Sequence, residues 1–213
     1  MSHTYVIWGA GGHGKVIADV IRAQFGDVLL EYVERDSSRL GETCEPGGGK
    51  VTRDEETFRA DLEAGLEHPV VLAVGNNRAR LEMYVRVVAN GGDLPTLVHP
   101  TASVSPSAEL GPGTHVVTGA IVHPGARVGA AVILNTGCII EHDCVIGDGC
   151  HVSPGAVLAG GVHVGARSWI GAGATVINNV RVGSDVTVGA GAVVIDDVPD
   201  GATVVGVPAR RTD

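Results

Sequence analysis

The chain has 213 residues, of which 44% are hydrophobic, 3% are aromatic and 32 are glycine, so any core must be built from Val, Ile, Leu and Ala. Its net charge of −9 excludes electrostatic attraction to nucleic acid or to an anionic membrane surface. The N-terminus lacks a signal-peptide pattern, and no apolar run approaches the roughly 18 residues of a membrane span, so we expect a soluble cytoplasmic protein with no nucleic-acid or membrane partner.

The first 94 residues alternate strand-like and helix-like segments, which predicts an α/β domain over 1–94. The order strand, glycine-rich turn, helix and second strand is that of a doubly wound fold, and the length supplies half of one. We therefore predict a half-Rossmann domain. The predicted strands are 5–8, 29–33 and 70–74, and the predicted helices are 16–25 and 78–90.

A glycine-rich turn follows the first strand, where Gly9, Gly11 and Gly14 match the pattern G-x-G-x-x-G. Backbone N–H groups and a helix N-terminus at such a turn can bind a diphosphate. A nicotinamide site would need a second nucleotide-binding half, so we favour another nucleoside diphosphate, with Glu34 or Asp36 near its base or ribose. A nicotinamide-dependent oxidoreductase and a turn required only for packing remain alternatives.

The second half of the chain repeats every six residues. An aliphatic residue occupies each sixth position, and a small residue usually stands two positions before it. This period is neither helical nor a simple alternation, so short strands joined by corners must form triangular coils of about 18 residues. We predict an all-β parallel helix over 95–213. The aliphatic positions are Val104, Leu110, Val116, Val122, Val128, Leu134, Ile140, Ile146, Val152, Leu158, Val164, Ile170, Val176, Val182, Val188 and Val194.

Three of the four cysteines, Cys138, Cys144 and Cys150, follow the same six-residue spacing. They occupy the position of the small residue in three successive repeats. We therefore interpret them as core residues on the three faces of one coil rather than as metal ligands or redox groups.

The polar segment from Asn135 to Cys144 contains the candidate catalytic residues. His142 falls where side chains point away from the interior, and the neighbouring Asp143 can orient it as a general base. Gly160 lies 18 residues later, one coil away at about 4.8 Å, where its amide could bind a thioester carbonyl and then its oxyanion. An outward histidine without function and a simple corner glycine are the alternatives.

Ala172 and Ala190, also 18 residues apart, define a second column of the coil. Their small side chains leave room for a long, thin cofactor arm.

The motifs of this chain resemble the bacterial nucleotide-aminosugar N-acetyltransferases of bacillosamine and perosamine pathways, which are grouped with sialic-acid O-acetyltransferase-like proteins. The resemblance covers nearly the whole chain and implies that the coil is a left-handed parallel β-helix. The motifs are GAGGHGK at 9–15, AVGNN at 73–77, NTG at 135–137, EHDC at 141–144, HVSP at 151–154 and GVPAR at 206–210.

The resemblance implies a homotrimer in which acetyl-CoA lies between neighbouring prisms and the N-terminal domain holds a nucleotide sugar. It also implies His142 as the base and Asp143 as its acid partner. Some relatives carry aspartate where this chain has Glu34, so uridine, guanosine and thymidine remain open, with a UDP-linked sugar favoured. The implied substrate-binding residues are Gly11, Gly12, His13, Gly14, Lys15, Glu34, Asp36, Asn76, Asn135 and His151, and the implied cofactor-binding residues are His151, Gly160, Ala172 and Ala190.

The predicted reaction is direct transfer of an acetyl group from acetyl-CoA to the 4-amino group of a nucleotide-linked amino-deoxy sugar, without an acyl-enzyme. One alternative is O-acetylation of a sialic acid or another sugar hydroxyl. A second is a β-helix protein that binds a sugar nucleotide without catalysis. The third is a zinc site of the carbonic anhydrase type, in which three histidines must converge on the metal. His115, His151 and His163 occupy the same position of the six-residue repeat, but the sequence shows no close pair of histidines in the arrangement that such sites use. We therefore predict no metal.

Overall fold

A computed structural model of the protein describes residues 3–45 and 48–212. The elements of the N-terminal part are β1 (Thr4–Trp8), α1 (Gly12–Phe25), β2 (Leu29–Glu34), a 3-10 helix (Ser37–Arg39), β3 (Thr43–Cys44), β4 (Gly49–Asp54), α2 (Glu55–Glu63), β5 (Val70–Leu72) and α3 (Asn77–Ala89). Its strands form a five-stranded sheet of order β3-β4-β2-β1-β5, which is parallel except for the antiparallel edge strand β3.

The predicted α/β order is confirmed, with two differences. Helix α1 begins at Gly12, inside the predicted turn, and β3, β4 and α2 lie in a segment for which no element was predicted. The buried residues of α2 are Phe58 and Leu62, and β4 buries Gly49 and Val51, so neither element carries a strong periodic signal in the sequence.

Two of the motif glycines are required by close approach of neighbouring backbones. Gly9 has a φ of +119°, and a Cβ there would lie 2.7 Å from the Ala73 carbonyl oxygen, just after β5. A Cβ on Gly14 would collide with the carbonyl oxygen of Gly9. Gly9 therefore allows the chain after β1 to pass close to the segment after β5, and Gly14 allows the start of α1 to approach the end of β1.

The C-terminal part is a three-sided prism, a left-handed parallel β-helix, in which each face is a sheet of very short strands. The chain passes from face A to face B to face C in each coil. Face A contains β7 (Ser103–Val104), β10 (Ile121–Val122), β13 (Ile139–Ile140), β16 (Val157–Leu158), β19 (Thr175–Val176) and β22 (Val193–Val194). Face B contains β8 (Glu109–Leu110), β11 (Arg127–Val128), β14 (Val145–Ile146), β17 (His163–Val164) and β20 (Arg181–Val182). Face C contains β6 (Leu97–Val98), β9 (His115–Val116), β12 (Ile133–Leu134), β15 (His151–Val152), β18 (Trp169–Ile170), β21 (Thr187–Val188), β23 (Thr203–Val205) and β24 (Arg210–Arg211).

The strand register confirms the predicted coil. Ile121 pairs with Ile139, and Ile139 pairs with Val157, so residues 18 apart are neighbours on adjacent coils. The repeat starts one unit earlier than predicted, since β6 already pairs with β9 on face C. From Val116 to Val194 the predicted aliphatic positions are buried in one core.

The interpretation of Cys138, Cys144 and Cys150 as core residues is confirmed, because all three are fully buried inside the prism. Burial raises the pKa of the Cys138 and Cys150 thiols to about 12. The thiolate is therefore disfavoured, and these cysteines have the character of small hydrophobic side chains.

The α/β domain packs on the prism at the BC edge, the corner where the chain passes from face B to face C. Ala131 of this edge joins a buried cluster with Trp8, Phe58 and Leu72 of the domain. Val117, which follows β9 on face C, joins the second cluster around α1. Within the described residues, no helix has both the length and the apolar character that crossing a membrane requires.

Candidate active site

His142 lies at the AB edge, the corner between faces A and B, with 63% of its side chain exposed. Its Nδ1 atom is 2.9 Å from Oδ2 of Asp143, whose own φ of +60° belongs to the corner. The hydrogen bond to Asp143 raises the pKa of His142 above its usual value. The carboxylate therefore holds the proton on Nδ1 and leaves Nε2 as the basic nitrogen of the neutral ring.

The ring of His142 lies directly on Gly160 of the next coil. A Cβ on Gly160 would be 2.5 Å from Nε2 of His142, and the Gly161 N–H donates to the His142 carbonyl at 2.9 Å. The predicted vertical contact between the two residues is therefore confirmed. Within the described part of the chain the Gly160 N–H has no hydrogen-bond acceptor, so a basic nitrogen and an available amide donor adjoin the same point.

Asn135 and His151 form a second group, on face C and its corner with face A, the CA edge. The Asn135 Nδ2 donates to His151 Nε2 at 3.0 Å, and its Oδ1 accepts from the Thr136 N–H at 2.8 Å. Burial, with the nearby charge of Arg80, lowers the pKa of His151 to about 3. His151 is therefore neutral at physiological pH, and its proton is on Nδ1.

These two groups are separated in one chain, although the sequence presents them as one polar segment. Asn135 follows a face C strand, whereas His142 follows the next face A strand. Each six-residue repeat turns the chain to a new face, so residues seven apart lie on different corners. One protomer thus brings together His142, Asp143 and Gly160, and separately Asn135 and His151.

The glycine-rich turn leaves open space at its exposed end. Among residues 3–45 and 48–212, a Cβ on Gly11 or Gly12 would meet no atom within 4 Å, and no side chain caps the N-terminus of α1. Lys15 is exposed in the first turn of this helix. Packing therefore explains the glycines at positions 9 and 14 but not those at positions 11 and 12. The backbone N–H groups of Gly11 and Gly12 can donate hydrogen bonds to a bound anion.

The half-buried His13 and the fully buried His115 lie side by side between the turn and the prism, with ring centroids 6.0 Å apart. Burial, followed by the charge of Arg80, lowers the pKa of His13 to about 4, and burial lowers that of His115 well below its usual value. Among the described residues, His13 Nε2 and both ring nitrogens of His115 have no hydrogen-bond partner. Sequence reasoning did not identify this contact, because no spacing rule relates the two positions.

The zinc alternative has no support in the geometry. His115 and His151 lie on face C, whereas His163 lies on face B. The described residues contain no group of three or more His, Cys, Asp or Glu side chains arranged to hold a metal ion.

Glu34 lines a cavity of about 240 Å³ at the carboxyl ends of β1 and β2, together with Gly9 and Val74. Its carboxylate accepts from Arg39 Nη1 at 2.8 Å and from the Arg35 N–H at 2.7 Å. A nucleotide base or ribose commonly lies at this edge of a doubly wound sheet. The cavity therefore favours Glu34 as a base or ribose contact.

Asp36 and Asn76 have local structural roles. Asp36 caps the 3-10 helix by accepting from the Ser38 N–H at 2.9 Å, and Asn76 caps α3 by accepting from the Ala79 N–H at 2.9 Å. Asn76 is exposed, so its amide nitrogen can still face a ligand.

Ala172 and Ala190 are exposed on adjacent coils of the CA edge, where the Gly191 N–H donates to the Ala172 carbonyl at 2.8 Å. The predicted column of small side chains is therefore present.

Comparisons with known proteins agree with both halves of the fold. Residues 5–87 match the family model "PglD N-terminal domain", and residues 125–160 and 161–196 match "Bacterial transferase hexapeptide (six repeats)". A UDP-N-acetylbacillosamine N-acetyltransferase from Bacillus subtilis (strain 168) is 40% identical over 114 residues. That match spans 52% of this chain and about half, 50%, of the relative.

Several solved structures match the chain along its length. The acetyltransferase domain of PglB from Neisseria gonorrhoeae FA1090 is 39% identical with a TM-score of 0.90, covering 99% of this chain and 100% of that one. The same domain has been solved with acetyl-CoA. PerB from Caulobacter crescentus, in complex with CoA and GDP-perosamine, is 36% identical with a TM-score of 0.88, covering 99% of this chain and 97% of that one. Variants of that enzyme with one histidine replaced by alanine or asparagine have been solved with the same two ligands.

Proposed function

The chain belongs to the bacterial nucleotide-sugar N-acetyltransferases that join a PglD-type N-terminal domain to a hexapeptide-repeat β-helix, and from this membership we propose its reaction and its substrate. The proposed reaction moves an acetyl group from acetyl-CoA to the 4-amino group of a nucleotide-linked amino-deoxy sugar. The observation that carries the proposal is the His142 ring, oriented by Asp143 and lying on the backbone of Gly160.

In the proposed mechanism the neutral sugar amine attacks the thioester carbonyl and a C–N bond forms. His142 Nε2 accepts a proton from the attacking nitrogen, and the Gly160 N–H donates to the oxyanion. When the C–S bond breaks, the proton passes from His142 to the departing thiolate, so CoA leaves as a thiol and the base is restored. The sequence of steps contains no acyl-enzyme, since the amine itself is the nucleophile.

The nucleotide sugar would bind along the α/β domain. The amides of Gly11 and Gly12 at the start of α1 are suited to the diphosphate, with His13 beside it, and the cavity at Glu34 is suited to the base or ribose. The curated relative acts on a UDP-linked sugar and PerB was solved with a GDP-linked sugar. We favour the UDP-linked form for this chain.

We also propose a homotrimer, because four of the six outward positions in the strands of face A are apolar. Its outward positions include Ile121, Ile139 and Val157, whereas the same positions of face B include Arg127 and His163. A second copy of the chain is the occupant that would bury these side chains.

Closure of a ring would also complete the active site. His142 borders face A at the AB edge, and Asn135 with Ala172 borders it at the CA edge. Neighbouring prisms would therefore bring the base of one subunit to Asn135 and His151 of the next, with acetyl-CoA along the column of Ala172 and Ala190 between them.

The substrate proposal predicts which acceptors release free CoA thiol from acetyl-CoA. We expect release with UDP-, GDP- or dTDP-linked 4-amino-4,6-dideoxy sugars and none with the matching 4-hydroxy sugars or with sialic acid, because a neutral amine is the better nucleophile for this base. The measurement is thiol release with each acceptor, followed by mass analysis of the product. Reaction only with hydroxyl acceptors would instead favour O-acetylation. Nucleotide-sugar binding without thiol release would favour a non-catalytic protein.

The trimer proposal predicts that Ile139→Glu lowers the solution mass from three chains to one, because it places a charge in the apolar contact of face A. Val145→Glu changes the corresponding outward position of the next strand, on face B, and serves as the matched control. Light scattering measures the mass, which for one chain is 21.7 kDa. A wild-type monomer, or an Ile139→Glu protein that stays trimeric, would contradict the proposal.

A further inference from the structure

Arg80 of helix α3 is fully buried between the α/β domain and the prism. Its Nε donates to the Ala131 carbonyl at 2.8 Å, its Nη1 donates to the Val74 carbonyl at 3.0 Å, and its Nη2 donates to the carbonyls of Gly149 and Cys150, each at 2.9 Å. Among the described residues it forms no ion pair with a carboxylate. A single guanidinium thus joins the backbones of two domains through carbonyl groups alone.

A buried cation without a counter-ion is costly, and burial lowers the pKa of Arg80 to about 10. An apolar side chain of similar size would avoid that cost but would leave the carbonyl groups of Ala131, Gly149 and Cys150 without this donor. The arginine therefore has a role that depends on its fixed, planar set of donors.

Asn77 extends the same contact by one coil. Its Nδ2 donates to the carbonyls of Arg167 and Ser168, both at 3.0 Å, while its Oδ1 accepts from Arg80 Nη2 at 3.0 Å. The contacted carbonyls of residues 131, 149 and 167 are 18 apart, so they belong to three successive coils of the BC edge. Arg80 and Asn77 thus fix the position of α3 along the prism axis.

Arg80 binds two backbone segments, and each segment leads directly to a residue of the proposed nucleotide-sugar site. The Val74 carbonyl lies two residues before Asn76, and the Gly149 and Cys150 carbonyls immediately precede His151. The glycine-rich turn rests on the first of these segments, since a Cβ on Gly9 would meet Ala73 and Val74.

We propose that Arg80, together with Asn77, is a positioning residue that sets the distance between the diphosphate-binding turn and the acetyl-transfer site. This inference rests on the proposed function. Slippage by one coil would displace the nucleotide by about 4.8 Å. A misplacement of about 1 Å is enough to cost on the order of 10²-fold in rate.

The test is Arg80→Met, which removes the donors while retaining a side chain of similar length. We expect kcat/KM for the nucleotide sugar to fall by about 10²-fold, with KM for acetyl-CoA unchanged, because the column proposed for acetyl-CoA belongs to the prism alone. Arg80→Lys should not restore the lost activity, since an ammonium cannot reproduce the planar set of donors. Arg86→Met changes an exposed arginine of the same helix and should leave both constants unchanged.

A rise in KM for acetyl-CoA as large as that for the nucleotide sugar, or an Arg80→Met enzyme whose constants match those of Arg86→Met, would overturn the inference. Should Arg80→Met fail to fold, as judged by thermal unfolding, Asn77→Ala decides the matter. It deletes the contact with the third coil and retains Arg80, and it should raise KM for the nucleotide sugar without changing that for acetyl-CoA. An unchanged nucleotide KM in Asn77→Ala would reject the proposal. A wild-type protein that transfers no acetyl group at all would count against the proposed function instead.

Discussion

Replacing His142 with alanine is expected to lower kcat by about 10²–10⁴-fold, because the variant loses the group that accepts the proton from the attacking amine. The exposed side chain contributes little to the prism core, so the oligomeric state and the thermal unfolding of the protein should be unchanged. Thiol release at saturating nucleotide sugar and acetyl-CoA measures the effect. His163→Ala removes an exposed histidine from face B and is the matched control. Near-normal turnover by a folded His142→Ala protein would rule out its role as the base.

The hydrogen bond that His142 Nδ1 donates to the Asp143 carboxylate makes the role of His142 as the base testable by its dependence on pH. The base acts in its neutral form, so kcat/KM should rise with pH through the pKa of His142, which Asp143 raises. Asp143→Asn removes the charge, lowers that pKa, and should shift the acidic limb of the profile to lower pH. Protonation of the free substrate amine affects the pH profiles of both enzymes equally, so it does not contribute to the difference between them. An acidic limb that stays in place, or moves to higher pH, would show that His142 does not control it.

Replacing Gly160 with alanine is expected to lower kcat by about 10²-fold while preserving the fold. The new Cβ would stand 2.5 Å from His142 Nε2, so the imidazole must move from its position over the amide. A misplaced base loses much of its effect even when its chemistry is intact. Gly160 is half-buried and has no positive φ, so alanine adds no backbone strain. Steady-state kinetics and thermal unfolding of the purified variant measure the two effects.

A double variant separates displacement of the ring from any other effect of the methyl group. In the His142→Ala background the clash is absent, so Gly160→Ala should cause little additional loss. Full additivity of the two losses would indicate that the methyl group acts elsewhere, for example by blocking acetyl-CoA. Wild-type turnover in Gly160→Ala would contradict the close contact itself.

The contact between His142 and Gly160 could be predicted because the repeat itself encodes it. A coil of three six-residue units makes residues 18 apart vertical neighbours, whatever the rest of the protein does. The glycine-rich turn could be located for a similar reason, since strand, turn and helix are local in sequence. The bounds of α1 and the existence of β4 and α2 were harder to predict from the sequence, because few apolar positions mark these elements.

The Arg80 contact and the His13–His115 pair had no comparable signal. Arg80 is one of several arginines in a helix of mixed polarity, and only docking of that helix against the BC edge makes it buried. Docking joins residues that are 50 or more positions apart, such as Arg80 with Ala131, and no local period relates them.

The sequence by itself thus determined the coil, its core, the half-Rossmann domain and the stacking of His142 on Gly160, because periodic burial and local turns are written in neighbouring residues. Only the tertiary structure decided which edge of the prism the α/β domain packs against, and how far the glycine-rich turn stands along the prism. The physical reason is that the placement of one domain on another depends on carbonyls and side chains that meet only after both have folded.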